Sequence, residues 1–167
     1  MTYRIVVGID SSPHSIAALH WALRHAERLS GEVLALFCWQ MPFYGVPGGF
    51  NRDELEERAK ALLRQTVAVA APDPSVPLLT VVAEGDPTEA LIEASKNANL
   101  LVVGTRGRSQ FAGLMLGSVS QGCSAHAYCP VVLVKKSDDP AGAGGSGGSP
   151  PGGRSGGSSP RASTAPG

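Results

Sequence analysis

The chain alternates short runs of β-branched and aliphatic residues with longer segments of helical periodicity, and this alternation constrains its fold more than any other feature. Such alternation is typical of consecutive βαβ units, which build a parallel sheet. The predicted strands are Tyr3 to Ile9, Glu32 to Trp39, Leu78 to Ala83, Leu100 to Val103 and Pro130 to Val134.

Several of these strands are apolar throughout, as at residues 100–103 and 131–134. Continuous apolar runs indicate strands that are covered on both faces, as parallel strands usually are. We therefore expect an α/β fold with an open five-stranded parallel sheet and helices on both of its faces.

Helix signals lie between the strands. Ser12 is a good N-cap, Pro13 suits the first helical position, and Gly31 marks the end of the first helix. The other predicted helices are Asp53 to Ala70, one opened by the capping box Asp86-Pro87-Thr88-Glu89, and one beginning at Ser118. The predicted element order is β-α-β-α-β-α-β-α-β.

The composition changes after residue 137. In residues 138–167, 21 of 30 residues are Gly, Ser or Pro, and a segment of this kind cannot bury enough apolar surface to offset its chain entropy. We predict a folded domain at 1–137 and a disordered tail at 138–167, which is either passive or a tether or partner-binding segment. The Pro- and Gly-rich connection from Met41 to Arg52 is either a flap over a ligand or an ordinary loop.

Charge and hydropathy exclude several partners. The formal net charge is zero and the pI is about 6.9, so we expect no nucleic-acid binding. No window approaches the roughly 20 apolar residues that span a membrane, and no leader precedes the first strand. A cytoplasmic protein without membrane contact is expected.

The cysteines and histidines show no metal-ligand spacing. The three cysteines form no C-x-x-C pair, and we assign no ligand spacing to them and the four histidines. We expect no metal site, and we interpret the cysteines, which are Cys38, Cys123 and Cys129, as buried apolar residues.

A glycine-spaced segment follows the fourth strand. Gly104 and Gly107 precede Gly117 and Ser118, which begin the fourth helix. Glycine lets backbone N–H groups approach a phosphate, and a helix N-terminus adds unsatisfied donors. The side chains of Arg106, Arg108, Ser109 and Ser118 add further donors. The alternative is that the glycines only shape turns and Ser118 only caps its helix.

Asp10 ends the first strand at the same edge of the sheet. Its carboxylate can accept hydrogen bonds from a ribose or an adenine amino group, or hold a phosphate-bound Mg²⁺. Alternatively it caps the first helix, and both roles are compatible. No Walker A loop occurs in the sequence, and neither the dinucleotide fingerprint nor a G-x-S-x-G elbow follows any predicted strand.

The residues quoted above resemble the universal stress protein family over about residues 3–136. Gly104-x-x-Gly107-(nine residues)-Gly117-Ser118 matches the ATP-binding motif of that family in full. Supporting matches are Ile5-Val6-Val7-Gly8-Ile9-Asp10-Ser11-Ser12, His20-Trp21-Ala22, Leu116-Gly117-Ser118-Val119-Ser120 and Cys129-Pro130-Val131-Val132-Leu133-Val134.

The resemblance implies an adenine-nucleotide alpha hydrolase-like fold with strand order 3-2-1-4-5 and a homodimer through the last strand. It places Gly8, Ile9 and Asp10 at the adenosine end, and Trp39 near the base or merely covering the sheet. It assigns ribose and phosphates to Gly104, Thr105, Arg106, Gly107, Arg108, Ser109, Gly117, Ser118 and Val119.

The implied function is an ATP-binding regulator of the stress response, with Mg²⁺ bound through the nucleotide. The alternative is a nucleotide-free dimeric interaction protein of the same fold. The sequence offers no general base beside a positioned water, so at most slow ATPase or autophosphorylating activity is expected.

Overall fold

The computed structural model describes residues 2–41, 51–107 and 116–136. These residues form a doubly wound α/β fold. Its elements, in chain order, are β1 Arg4–Ile9, α1 Pro13–Arg28, β2 Glu32–Trp39, α2 Arg52–Ala70, β3 Leu78–Glu84, α3 Pro87–Ser95, β4 Leu100–Gly104, α4 Ser118–His126 and β5 Val131–Val134. Three segments lie outside the described ranges: residues 108–115, most of the connection after Met41, and the predicted tail.

The five strands form one parallel sheet of order β3-β2-β1-β4-β5, which confirms the predicted order. Val7 lies opposite Val102 in the β1–β4 pair, where the strand order reverses. In open parallel sheets, ligands bind beyond the carboxyl ends of the strands at such a reversal.

Two apolar clusters cover the two faces of the sheet, as predicted. Ile5 and Val7 of β1 pack in the cluster that includes α1 and α2, whereas Val6 packs in the cluster that includes α3 and α4. The alternation arises because successive side chains of a strand point to opposite faces.

The helix N-termini follow their capping signals. The Ser12 hydroxyl accepts from the Ser15 N–H at 3.2 Å, and the Asp86 carboxylate accepts from the N–H groups of Thr88 and Glu89. Helix α2 starts at Arg52, one residue before the predicted Asp53, because the Asn51 side chain caps it.

Helix α1 ends in a Schellman motif. The Gly31 N–H donates to the Ala26 carbonyl at 2.8 Å, and the Ser30 N–H donates to the Glu27 carbonyl. The left-handed residue is Ser30, with φ of 49°. Gly31 is required for a different reason, because a Cβ there would run into the Tyr3 carbonyl oxygen.

The sheet has two edge strands, and both are less covered than the central ones. The residues of β5 pack on both faces of the sheet, as expected, but this strand is only half-buried. The reason is its position at the end of the sheet, beyond β4. On the opposite edge, Leu79 and Val81 of β3 are 45% and 42% exposed.

Candidate functional site

A cavity of about 380 Å³ opens at the carboxyl edge of the sheet, on the face covered by α3 and α4. Its volume lies within the range of small-molecule sites. The lining residues come from β1, β2, β4 and the first turns of both helices: Gly8, Ile9, Asp10, Leu36, Cys38, Pro87, Leu91, Val103, Gly104, Arg106, Gly107, Gly117, Ser118, Val119 and Ser120.

Asp10 lines this cavity, beside the glycine-spaced segment. One carboxylate oxygen, Oδ1, accepts from the Ser12 N–H at 3.0 Å, so Asp10 does support the start of α1. The other, Oδ2, faces Gly107, and a Cβ on Gly107 would lie 2.8 Å from it. The backbone of Gly107 and the carboxylate are therefore close because residue 107 has no side chain.

The N-terminus of α4 forms another wall. Gly117 is its N-cap, and within the described residues no side chain caps this helix, in contrast to α1, α2 and α3. The Gly117 N–H donates to the Thr105 carbonyl at 2.9 Å. The first N–H groups of α4 thus lie at a cavity wall without a side-chain acceptor, which is the arrangement that binds anions.

Gly104 holds this wall against the sheet. The Ser120 hydroxyl donates to the Gly104 carbonyl at 2.7 Å, which ties α4 to the end of β4. A Cβ on Gly104 would lie 2.8 Å from the His14 backbone, so β4 and α1 approach each other through this glycine. Gly104 therefore has a packing role in addition to any contact with a ligand.

Arg106 and Asp10 are the charged residues among the described ones that line the cavity. Arg106 is half-buried and, in the described part of the chain, forms no ion pair. A guanidinium in such a position can donate several hydrogen bonds to a phosphate.

The sequence motifs did not identify the apolar wall of the cavity. It is formed by Leu36 and Cys38 of β2, Pro87 and Leu91 of α3, and Val103. These residues carry no motif, but the alternation along β2 could have indicated that Leu36 and Cys38 share the face of the glycine segment. An apolar wall opposite polar groups suits a flat, partly apolar ligand.

Cys38 departs from the expectation of buried cysteines. It and Cys129 are only partly buried, whereas Cys123 is fully buried. Burial, with a smaller contribution from Asp86, raises the pKa of the Cys38 thiol to about 11. The thiol that lines the cavity is therefore protonated at neutral pH.

Trp39 lies elsewhere. It is 8% exposed and belongs to the cluster with α1 and α2, on the face of the sheet opposite the cavity. Its side chain is not among those that line the cavity, so its position favours the alternative that it covers the sheet. Thr105 contributes backbone hydrogen bonds next to the cavity, and Arg108 and Ser109 lie outside the described residues.

Among the described residues, no group of three or more His, Cys, Asp or Glu side chains lies close enough together to hold a metal ion. No helix in the described ranges has the length and apolar character needed to cross a membrane.

Comparison with known sequences identifies one family. The model of the universal stress protein family matches residues 1–135. A universal stress protein of Mycolicibacterium smegmatis is 36% identical over 132 residues, which cover 78% of this chain and 45% of that protein. Universal stress protein MJ0531 of Methanocaldococcus jannaschii is 32% identical over 140 residues, which cover 80% of this chain and 82% of the relative. The chain spans about half the length of the mycobacterial relatives it matches.

Solved structures show the same fold. Universal stress protein UspA from Lactobacillus plantarum is 25% identical, with a TM-score of 0.67 over 79% of this chain and 97% of that one. A universal stress protein in complex with cAMP is 24% identical, with a TM-score of 0.64 over 81% and 98%. A family protein from Arabidopsis thaliana with AMP bound is 22% identical, with a TM-score of 0.58 over 84% and 97%.

Proposed function

The chain belongs to the universal stress protein family, and from this premise we propose that it binds an adenine nucleotide, ATP, in the cavity at the carboxyl edge of the sheet. Two solved neighbours are described with cAMP and with AMP. Because both are less than 25% identical to this chain, the likeness to them is one of fold. The support for a nucleotide comes from the cavity itself.

The observation that carries the proposal is the uncapped start of α4 facing the glycine-spaced segment. The N–H groups of Ser118 and Val119 lie beyond a glycine N-cap. Gly107 has no side chain between its backbone and the Asp10 carboxylate. Arg106 adds a positive charge at the same wall. Backbone donors, a helix N-terminus and a guanidinium together are the groups that bind a phosphate chain.

The other end of the cavity suits an adenosine. Gly8 and Ile9 end β1 beside the apolar wall of Leu36 and Leu91, where a base can be buried. Asp10 follows β1 directly and lies beside Gly107, so we assign its carboxylate to a ribose placed between base and phosphates.

Mg²⁺ fits the site as a companion of the phosphates. Mg²⁺ keeps several waters and is usually held by one or two carboxylates and by substrate phosphates. Asp10 is the carboxylate of the cavity, and the Ser118 hydroxyl is a second oxygen at the phosphate wall. The metal would neutralise part of the charge of the bound triphosphate.

We propose a regulatory role in the cytoplasm, with nucleotide binding rather than turnover as the main activity. The protein would act as a homodimer through β5. Occupancy of its cavity by nucleotide would report the energy state of the cell under stress. As an edge strand, β5 has one side without a neighbouring strand in the described sheet, which supports an interface there. Any hydrolysis would be slow, and the release of ADP from ATP mixed with the protein measures it.

Two measurements test the binding proposal. Mass spectrometry of small molecules extracted from the purified protein should detect an adenine nucleotide, and calorimetric titration should detect ATP binding. Failure of both at millimolar ATP would exclude the proposal. It would favour the alternative, a nucleotide-free dimeric interaction protein, provided that the same sample is a dimer.

A further inference from the structure

Three segments meet through the backbone of Thr105, next to the cavity. Its carbonyl accepts from the N–H of Gly117 at the start of α4, and its own N–H donates to the Val134 carbonyl at the end of β5. Each hydrogen bond is 2.9 Å long. The residue that follows Val134 therefore lies close to Thr105, whose carbonyl holds the helix N-terminus to which we assign the phosphates.

The alternation along β5 assigns the two residues that follow it to opposite faces. Val131 and Leu133 pack in the cluster with α3 and α4, whereas Val132 and Val134 pack in the cluster with α1 and α2. Continued by one residue, this alternation puts Lys135 on the face that holds the cavity. Lys136 then falls on the opposite face.

Both lysines are exposed, and in the part of the chain that the structure describes neither forms an ion pair. Among the lining residues that the structure describes, the charged ones are Asp10 and Arg106, and their charges sum to zero. A monophosphate can be neutralised by Arg106 and the α4 N-terminus alone. A triphosphate carries more negative charge and extends further from the ribose, so a further cation beside the described lining would stabilise it when no divalent metal is bound.

We propose that Lys135 supplies this cation, and that it makes the site select a nucleoside triphosphate over a monophosphate. The inference depends on the proposed function, because it concerns the same cavity. The ammonium group would contact the distal phosphates beside Thr105, beyond the reach of the phosphate of AMP. Lys135 is a specificity residue in this arrangement and takes no part in holding the adenosine.

The test compares Lys135→Gln with Lys136→Gln, which removes the same charge one residue further along. Both variants are titrated calorimetrically with ATP and with AMP, without added divalent metal. The four dissociation constants are compared with those of the wild type. Because an exposed charge-assisted contact contributes on the order of 1 kcal/mol, we expect Lys135→Gln to weaken ATP binding by about fivefold. AMP binding should be unchanged, and Lys136→Gln should affect neither nucleotide.

Salt gives a second readout. Screening shortens the range of an exposed charge, so the preference of the wild type for ATP over AMP should fall as the salt concentration rises. Lys135→Arg should retain the preference of the wild type. Equal losses for ATP and AMP in Lys135→Gln, or equal effects of the two Gln variants, would overturn the role of Lys135. If the wild type binds neither nucleotide, the proposed function fails with it, which is a distinguishable result.

Discussion

Gly104 and Gly117 bound the same cavity, yet the space around them differs. A Cβ on Gly104 would press against the backbone of His14, which cannot rotate away. A Cβ on Gly117 would have its nearest neighbours at 3.7 Å and 3.8 Å, which is ordinary contact. Alanine at Gly104 therefore tests a packing role, whereas alanine at Gly117 tests a binding role.

We expect Gly104→Ala to lower the free energy of unfolding by about 2 kcal/mol, because overpacking costs about 1–3 kcal/mol. Gly117→Ala should lower it by less than about 1 kcal/mol, as an alanine N-cap does. The same variant should weaken ATP binding by about tenfold, since a methyl group takes space at the helix N-terminus. Urea denaturation and calorimetry measure the two effects. Wild-type affinity in Gly117→Ala would contradict the phosphate site.

Cys38 offers a chemical probe of the cavity. Its pKa is raised from 9.0 to about 11, so its thiolate fraction at neutral pH is about a hundredfold below that of an ordinary thiol. Because the raised pKa retains the proton, alkylation by iodoacetamide should be slow at pH 8. It should accelerate about tenfold per pH unit until about pH 11.

Saturating ATP should slow the labelling of Cys38 further, because this thiol lines the cavity. Cys129, which is also partly exposed but does not line it, is the internal control and should be unaffected by ATP. Mass spectrometry of the peptides resolves the two sites. Labelling of Cys38 at the rate of a free thiol at pH 8 would contradict its described environment.

At the scale of elements, the backbone at the end of α1 is strained at one residue, and glycine there would relieve the strain. Ser30 is exposed and left-handed at the position where glycine is preferred. Ser30→Gly should therefore raise the free energy of unfolding by about 0.5–1 kcal/mol, measured by urea denaturation. The control is Ser11→Gly, at φ of 63°, where the gain is offset because the Ser11 hydroxyl lies 2.9 Å from that of Thr66. Equal stabilisation by both variants would argue against this account.

The strands and helix starts could be predicted from the sequence because their signals are local. Apolar runs located the strands, and Ser12, Asp86 and Ser118 marked three helix N-termini at the correct residues. The strand order was implied only by the family resemblance, since local patterns do not specify which strands pair. The exposure of β5 was missed for the same reason, because an apolar run does not indicate whether its strand is central or at an edge.

The site could be predicted in part. The glycine spacing located the wall around Gly107 and Gly117, and Asp10 was found from its place at the end of β1. Cys38 was missed and Trp39 was chosen in its place, because the choice between adjacent residues depends on which face of β2 bears the cavity. Leu91 was missed because its contact with the cavity depends on how α3 packs on the sheet.

At the scale of the molecule, the two edge strands offer alternative interfaces. If the homodimer forms through β5, Leu133→Lys should shift the mass in solution from twice 17.2 kDa toward the monomer, because charge on an edge strand opposes pairing. Val81→Lys, on the exposed β3 edge, is the matched control and should leave the dimer intact. Sedimentation over a range of concentrations measures both. Dissociation by Val81→Lys alone would assign the interface to β3.

The division of the chain at residue 137 remains a prediction. A protein of residues 1–137 should unfold with the same free energy as the full chain, within about 0.5 kcal/mol, because the tail lacks large apolar residues to bury. Its affinity for ATP should also be unchanged. Urea denaturation and calorimetry of both chains test this, and a clear loss of either property would give the tail a role in the folded domain.

The hydrogen bonds of Thr105 join the rim of the cavity to the outermost strand. If a ligand alters the geometry at Gly117, the strain passes to Val134 without an intervening loop. A ligand that changes the affinity of β5 for a partner by some factor must, by thermodynamic linkage, have its own affinity changed by that partner. The factor is the same in both directions. Titrations of this protein should accordingly be compared only at equal protein concentration.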